Sequence, residues 1–145
     1  MRNLDKLAAE TAQTIIRQTN QFGKSQVDNL ATKTLGVLQE NGVYAATLFL
    51  YSRSGPDKDI APFFRVHLLK LAANDIVGNQ PPKDEAEEAL KFITDNISGD
   101  LDTLLLVKQV WEQTLIYTRY GAKARSESSE KTSDSQNIPS DAGEN

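Results

Sequence analysis

The only imidazole in the chain is His67, set among Phe63, Phe64, Leu68 and Leu71. An imidazole can act as a general base near neutral pH, but it needs a nucleophile to activate and a group to orient it. No Ser-His-Asp, His-Glu-x-x-His or Glu-x-x-His pattern is present, so the plainer reading of His67 is a packed, hydrogen-bonded side chain. Asp84, Glu85, Glu87 and Glu88 could gather a cation, or could form the acidic first turn of a helix that capping and the macrodipole favour. The chain has no cysteine, which excludes disulfides, thiolate metal sites and cysteine nucleophiles. Its glycines are scattered, with no loop to cradle phosphates. The expectation is therefore no catalytic residue, no metal and no cofactor.

Two basic arrangements point elsewhere. In the first helical segment Lys6 and Arg17 fall within about 20° of each other at 100° per residue, away from the apolar face. Arg2, Gln13 and Asn20 share that side, Lys24 would join them if the helix continued, and Glu10 lies near the row. Cations and amides in one row suit a phosphate backbone, which offers charge and hydrogen-bond acceptors at regular intervals; a solvated face is the alternative. In the last helical segment Lys108, Arg119 and Lys123 gather within about 60° on the arc beside the core stripe. Leu105, Ile116 and Tyr120 share or border that arc, which makes it basic and apolar together, as partner surfaces often are. The alternative is a central helix buried on two sides. The candidate RNA-binding residues are thus Lys6, Arg17, Lys24, Lys108, Arg119 and Lys123, and the candidate partner interface is Leu105, Ile116 and Tyr120.

Composition sets the frame around these residues. The 145-residue chain is 39% hydrophobic and 25% charged, an ordinary balance for one soluble domain with a sizeable core. Its net charge of −4 comes from the last twenty residues, where Glu127, Glu130, Asp134, Asp141 and Glu144 face Lys131 alone. Residues 1–125 then hold fifteen basic and fifteen acidic side chains, so the placement of charge matters more than its sum. Residues 126–145 are rich in Ser, Asp and Glu with one large aliphatic, Ile138, and are expected to be a disordered acidic tail. No signal peptide and no apolar run of membrane-spanning length is evident, and the absence of cysteine fits a reducing cytoplasm.

The elements that must position the basic rows read as helices. Val27, Leu30, Ala31, Thr34, Leu35 and Leu38 recur at three- and four-residue steps. Asn41-Gly42 after them is therefore a glycine helix stop at positive φ rather than a hairpin turn, and a second helix starts at once. Ser25 with Asp28 resembles a capping box for this helix, and Asp84 with Glu87 resembles another. The expected helices are Leu4 to Gln21, Gln26–Asn41, Val43–Arg53, Ile60–Val77 with Pro62 in its first turn, a fifth opened by Asp84, and Leu101 to Ala124. A strand reading survives only for Thr47 to Tyr51, which has no partner strand. The fold class is all-α, a compact bundle of about six helices over residues 1–125.

The segment LATKTLGVLQENGVYAATLFLYSRSG resembles the helix, Asn-Gly, helix signature of the small-subunit family of the type III-B (Cmr module) CRISPR–Cas effector complex, with Gly42-Val43 leading into Ala46-Thr47-Leu48-Phe49-Leu50. The closing VKQVWEQTLIYTRYGAKA is similar to that family's last helix; Lys108, Arg119 and Tyr120 stand where it has basic, basic and aromatic residues, while Ile116 stands near a position that is commonly Trp. The resemblance spans roughly residues 1–125. It implies a non-catalytic, all-α protein of the prokaryotic cytoplasm in antiviral defence. Copies of it would stack with the large subunit into a minor filament beside the guide RNA and target RNA, with target cleavage left to the backbone subunits. Two other readings compete. One is a helical protein–protein adaptor using the Leu105/Ile116/Tyr120 face with no nucleic-acid contact; the other is an enzyme using His67.

Overall fold

The computed structural model describes residues 3–125. Over those residues it is all-α, with six helices and no strand. Helix α1 spans Leu4–Gln18, with the Asn3 side chain accepting the Lys6 amide at 3.0 Å. It ends at Gln18, three residues before the expected Gln21, with Thr19 as C-cap, so the Thr19–Phe22 turn separates it from Lys24. Helix α2 spans Lys24–Asn41 and α3 spans Val43–Tyr51. Gly42 serves both, its amide donating to Leu38 O at 2.9 Å and its carbonyl accepting from Ala46 at 3.0 Å. Its φ of 95° and ψ of −172° lie in a region that is open essentially to glycine alone.

Helix α4 spans Asp57–Leu71 and runs without a break into a π-helical segment, Ala72–Val77, closed by Gly78. Pro62 is the sixth residue of α4, in its second turn rather than its first. It costs the helix the backbone bond to the exposed Lys58, whose carbonyl water can satisfy. Helix α5 spans Ala86–Asn96 and α6 spans Leu101–Ala124. The α6 bounds match the sequence expectation, and Asp100 caps the helix through the Thr103 amide at 3.3 Å.

Neither expected capping box forms. Ser25 lies inside α2, whose start at Gly23 has no side-chain cap, and Asp28 turns to α6 instead. Asp84 stands before α5, whose N-cap is Glu85, also without a side-chain cap. In both cases a guanidinium reached through the tertiary fold binds the carboxylate more strongly than a backbone amide would.

Helix α6 packs between α1 and α2, while α3 packs on α2, α4 and α5. Helices α1 and α6 run in the same direction: Asp5 meets the Tyr117 hydroxyl, and Arg125 reaches Thr19 O at 3.2 Å. The core is anchored by Trp111, 1% exposed, whose indole N–H donates to Leu68 O at 2.8 Å. That buried donor is thereby satisfied. Thr19, Thr34, Thr47, Thr114 and Thr118 are also buried, each hydroxyl donating to the carbonyl four residues earlier at 2.7–2.9 Å. Back-bonding of this kind lets small β-branched polar residues line a helix interface without an unpaired hydroxyl. The acidic tail lies outside the described residues.

Candidate nucleic-acid interface

The parallel packing of α1 and α6 decides where the basic rows lie. Between these helices runs a groove of about 410 Å³ lined by Ala9, Ala12, Gln13, Ile16, Arg17, Tyr117 and Gly121. Gly121 permits the close approach, since a Cβ there would stand 3.2 Å from Ile16 Cγ1. Arg17 forms the α1 rim, its Nη2 donating to Thr14 Oγ1 at 3.3 Å, and Lys6 lies three turns earlier on the same exposed side. On the far side of α6, Arg119 and Lys123 both address Asp28 of α2, at 3.3 and 3.8 Å. Tyr120 is 60% exposed, with the Arg119 guanidinium 5.9 Å from its ring centre. Arg17 thus lines the groove, while Arg119 and Lys123 lie across α6 from it, beside α2.

Lys24 reaches this face differently from the sequence expectation. It does not extend α1; it opens α2, one turn before Asp28, and so stands on the α2 side with Arg119 and Lys123. Lys108 is half-buried, about three turns before Arg119 on α6. Of the three candidate interface residues, Leu105 and Tyr120 are exposed, at 53% and 60%, while Ile116 packs partly against the core. The Leu105 end of α6 also exposes Leu101 and Leu106, which sequence periodicity placed on no face.

The other candidates resolve into local packing. His67 is half-buried, with Nε2 2.7 Å from Gln18 Oε1. Burial, aided by the charges of Lys70 and Arg17, pushes its pKa down, so the ring is neutral at neutral pH and its Nε2–H donates to the amide oxygen. The Asp84 carboxylate accepts from Arg65 Nε at 2.7 Å, from Arg65 Nη2 at 3.3 Å and from the Tyr51 hydroxyl at 2.7 Å. Arg65 also donates to Leu50 O at 3.3 Å and stacks 4.3 Å from the Tyr51 ring centre. Burial alone would raise the Asp84 carboxyl, but the hydrogen bonds from Arg65 and Tyr51 and the Arg65 charge hold it below its ordinary range. Burial, then the Asp84 contact, pushes the Tyr51 hydroxyl far up. Arg65 had no place in the sequence reading, because nothing local links it to a residue nineteen positions away. Among the described residues no three His, Asp or Glu side chains converge as a metal-binding group, and no helix is long and apolar enough to cross a membrane.

No protein-family model and no curated protein sequence matches the chain.

Proposed function

We propose that this protein is a non-catalytic structural subunit that lays its α1/α6 face along the phosphate backbone of RNA. The observation that supports the reading is Arg17 at the rim of the α1/α6 groove, with Lys6 three turns earlier on the same side of α1, together with Arg119 and Lys123 gathered at Asp28 across α6, one turn after Lys24 on α2. A strip of cations about two helices wide, with Tyr117 and Tyr120 beside them, offers charge to phosphates and aromatic faces to unstacked bases. The signature around Asn41-Gly42 extends the proposal to a small subunit of a type III-B CRISPR ribonucleoprotein. There, stacked copies would support the large and backbone subunits beside guide RNA and target RNA in the prokaryotic cytoplasm, serving antiviral defence.

The test is binding of a generic single-stranded RNA and of an RNA duplex by the full chain, with K6E/R17E/K108E/K123E as the variant. Arg119 is kept in that variant because it makes the closer of the two contacts to Asp28, 3.3 Å against 3.8 Å for the more exposed Lys123. The reading expects sequence-independent binding that the variant loses by at least about tenfold with its thermal midpoint retained. Equal affinity in the variant contradicts it.

A second reading is favoured by the exposed Leu101, Leu105 and Leu106, namely an adaptor that docks protein alone. Co-purification that survives nuclease treatment, together with no RNA binding, favours the adaptor.

A further inference from the structure

A second cavity, of about 480 Å³, lies where residues 52–56 turn the chain from α3 into α4, and it shares no lining residue with the α1/α6 groove. Leu50, Pro62 and Phe63 supply apolar walls, Arg53, Lys58 and Arg65 supply cations, and Asp59 supplies a carboxylate. The cations are not equivalent. Arg65 is held by Asp84, by Leu50 O and by the Tyr51 ring, which also lines the cavity. Arg53 stacks 3.7 Å from the centre of the Phe49 ring and donates from Nε to Phe49 O at 2.9 Å and from Nη2 to Ser52 Oγ at 3.3 Å. Its Nη1 donors stay open. Among the described residues no carboxylate lies within ion-pair distance of Arg53 or of the exposed Lys58. Pro62, inside α4, has no N–H for the Lys58 carbonyl one turn earlier, which leaves a backbone acceptor between two lining residues.

We propose that this cavity binds a nucleoside 5′-monophosphate, with its phosphate at Arg53 and Lys58, its ribose hydroxyls donating to Asp59 and its base against Phe63 and Pro62. Charge selects the phosphate. A phosphomonoester carries about −1.5 to −2 near neutral pH, and Arg53 and Lys58 are the two lining cations without a carboxylate partner. The open side of a guanidinium also suits the paired oxygens of a phosphate. Asp59 selects the sugar. A lone carboxylate beside an anion repels it, but an ionised carboxylate accepts hydrogen bonds from hydroxyls, so an anion that carries vicinal hydroxyls fits where a bare anion does not. The Lys58 carbonyl adds an acceptor for a further hydroxyl or a base amine. Small-molecule sites enclose about 300–1,000 Å³ and pair apolar walls with a few polar groups, and this cavity has both properties. Arg65, already committed to Asp84, fixes the Tyr51 wall rather than turning to the ligand. No residue of the α1/α6 face takes part, so the inference stands apart from the RNA reading.

Calorimetric titration of the full chain with AMP, dAMP, adenosine and inorganic phosphate tests the site. The expected result is saturable AMP binding, with adenosine and inorganic phosphate each weaker by at least about tenfold, because each lacks part of the contact set. In the parent dAMP should bind several-fold more weakly than AMP, and D59N should erase that preference. K58Q removes an exposed side chain that the fold does not use, and it should weaken AMP several-fold with the thermal midpoint retained. R53Q/K58Q should weaken AMP by at least about tenfold, while K6E/R17E/K108E/K123E should bind AMP as the parent does. No saturable AMP binding, equal affinity for AMP and inorganic phosphate, or parent-like affinity in K58Q overturns the proposal. So does loss of AMP binding in K6E/R17E/K108E/K123E, which assigns the nucleotide to the α1/α6 face. No RNA enters this measurement, so its failure is distinct from failure of the RNA reading.

Discussion

Arg65 and Arg119 each meet an aspartate from a distant part of the chain, yet the two contacts leave the side chains in different conditions. Arg65 holds Asp84 through two nitrogens, donates to Leu50 O and lies on the Tyr51 ring. Its side chain is 17% exposed, and its donors are largely committed to joining α3, α4 and the segment before α5. Arg119 touches Asp28 through one nitrogen at 3.3 Å, is 30% exposed and shares that carboxylate with Lys123. Its guanidinium lies 5.9 Å from the Tyr120 ring centre. A guanidinium has five donors in a fixed fork, so what distinguishes a structural arginine from one available to a ligand is how many of the five the fold consumes.

Removing the structural member should have the largest effect. Arg65→Ala strands the Asp84 carboxylate and the Leu50 carbonyl, and we expect a loss of roughly 2–3 kcal/mol in denaturant unfolding, with RNA affinity unchanged per folded molecule. A loss below about 0.5 kcal/mol would make Arg65 no different from a surface cation and break the contrast.

Acid should probe the same contact with a smaller effect. The Asp84 carboxyl titrates below its ordinary value in the folded protein, so between the two values the unfolded chain binds more protons than the native state. This contribution is complete above pH ~4 and is lost as pH falls through the folded value. Stability measured from pH 6 downward should fall less steeply in Arg65→Ala than in the parent. Equal slopes would mean that Arg65 does not set the titration.

Arg119→Gln should change stability by under about 1 kcal/mol while weakening RNA binding by about 3–5-fold, the scale of one phosphate contact. Unchanged affinity with a large stability loss would place Arg119 beside Arg65. Asp28→Asn gives the smallest and most discriminating change. Neutralising the carboxylate that Arg119 and Lys123 share should raise RNA affinity by about 2-fold, read by fluorescence anisotropy. A fall in affinity would show that Asp28 positions these cations rather than competing for them.

The sequence made the helices legible where periodicity and glycine acted together. The 3.6-residue repeat from Val27 to Leu38, ending at Gly42, located α2 and α3 to within a few residues, and α6 matched at both ends. Local rules failed where a tertiary partner outcompeted a local one. Asp28 and Asp84 had the spacing of capping residues but pair with Arg119 and Arg65, ninety-one and nineteen positions away. The π-helical end of α4 left no sequence signal, since Ala72 to Val77 is an ordinary helical run. The face itself was half legible. Helical angles gave each basic row, but not the parallel packing of α1 against α6, permitted by Gly121 beside Ile16, that forms the groove Arg17 lines. Lys24 lies on α2 rather than α1, because the chain turns at Thr19.

The central claim is that this face binds a polyanion backbone, and salt dependence tests it most directly. With RNA affinity of the full chain measured across a salt series, four to five phosphate contacts predict that log K falls linearly against log[salt] with a slope of about −3. An affinity independent of salt, or no binding at the lowest salt, would contradict the account.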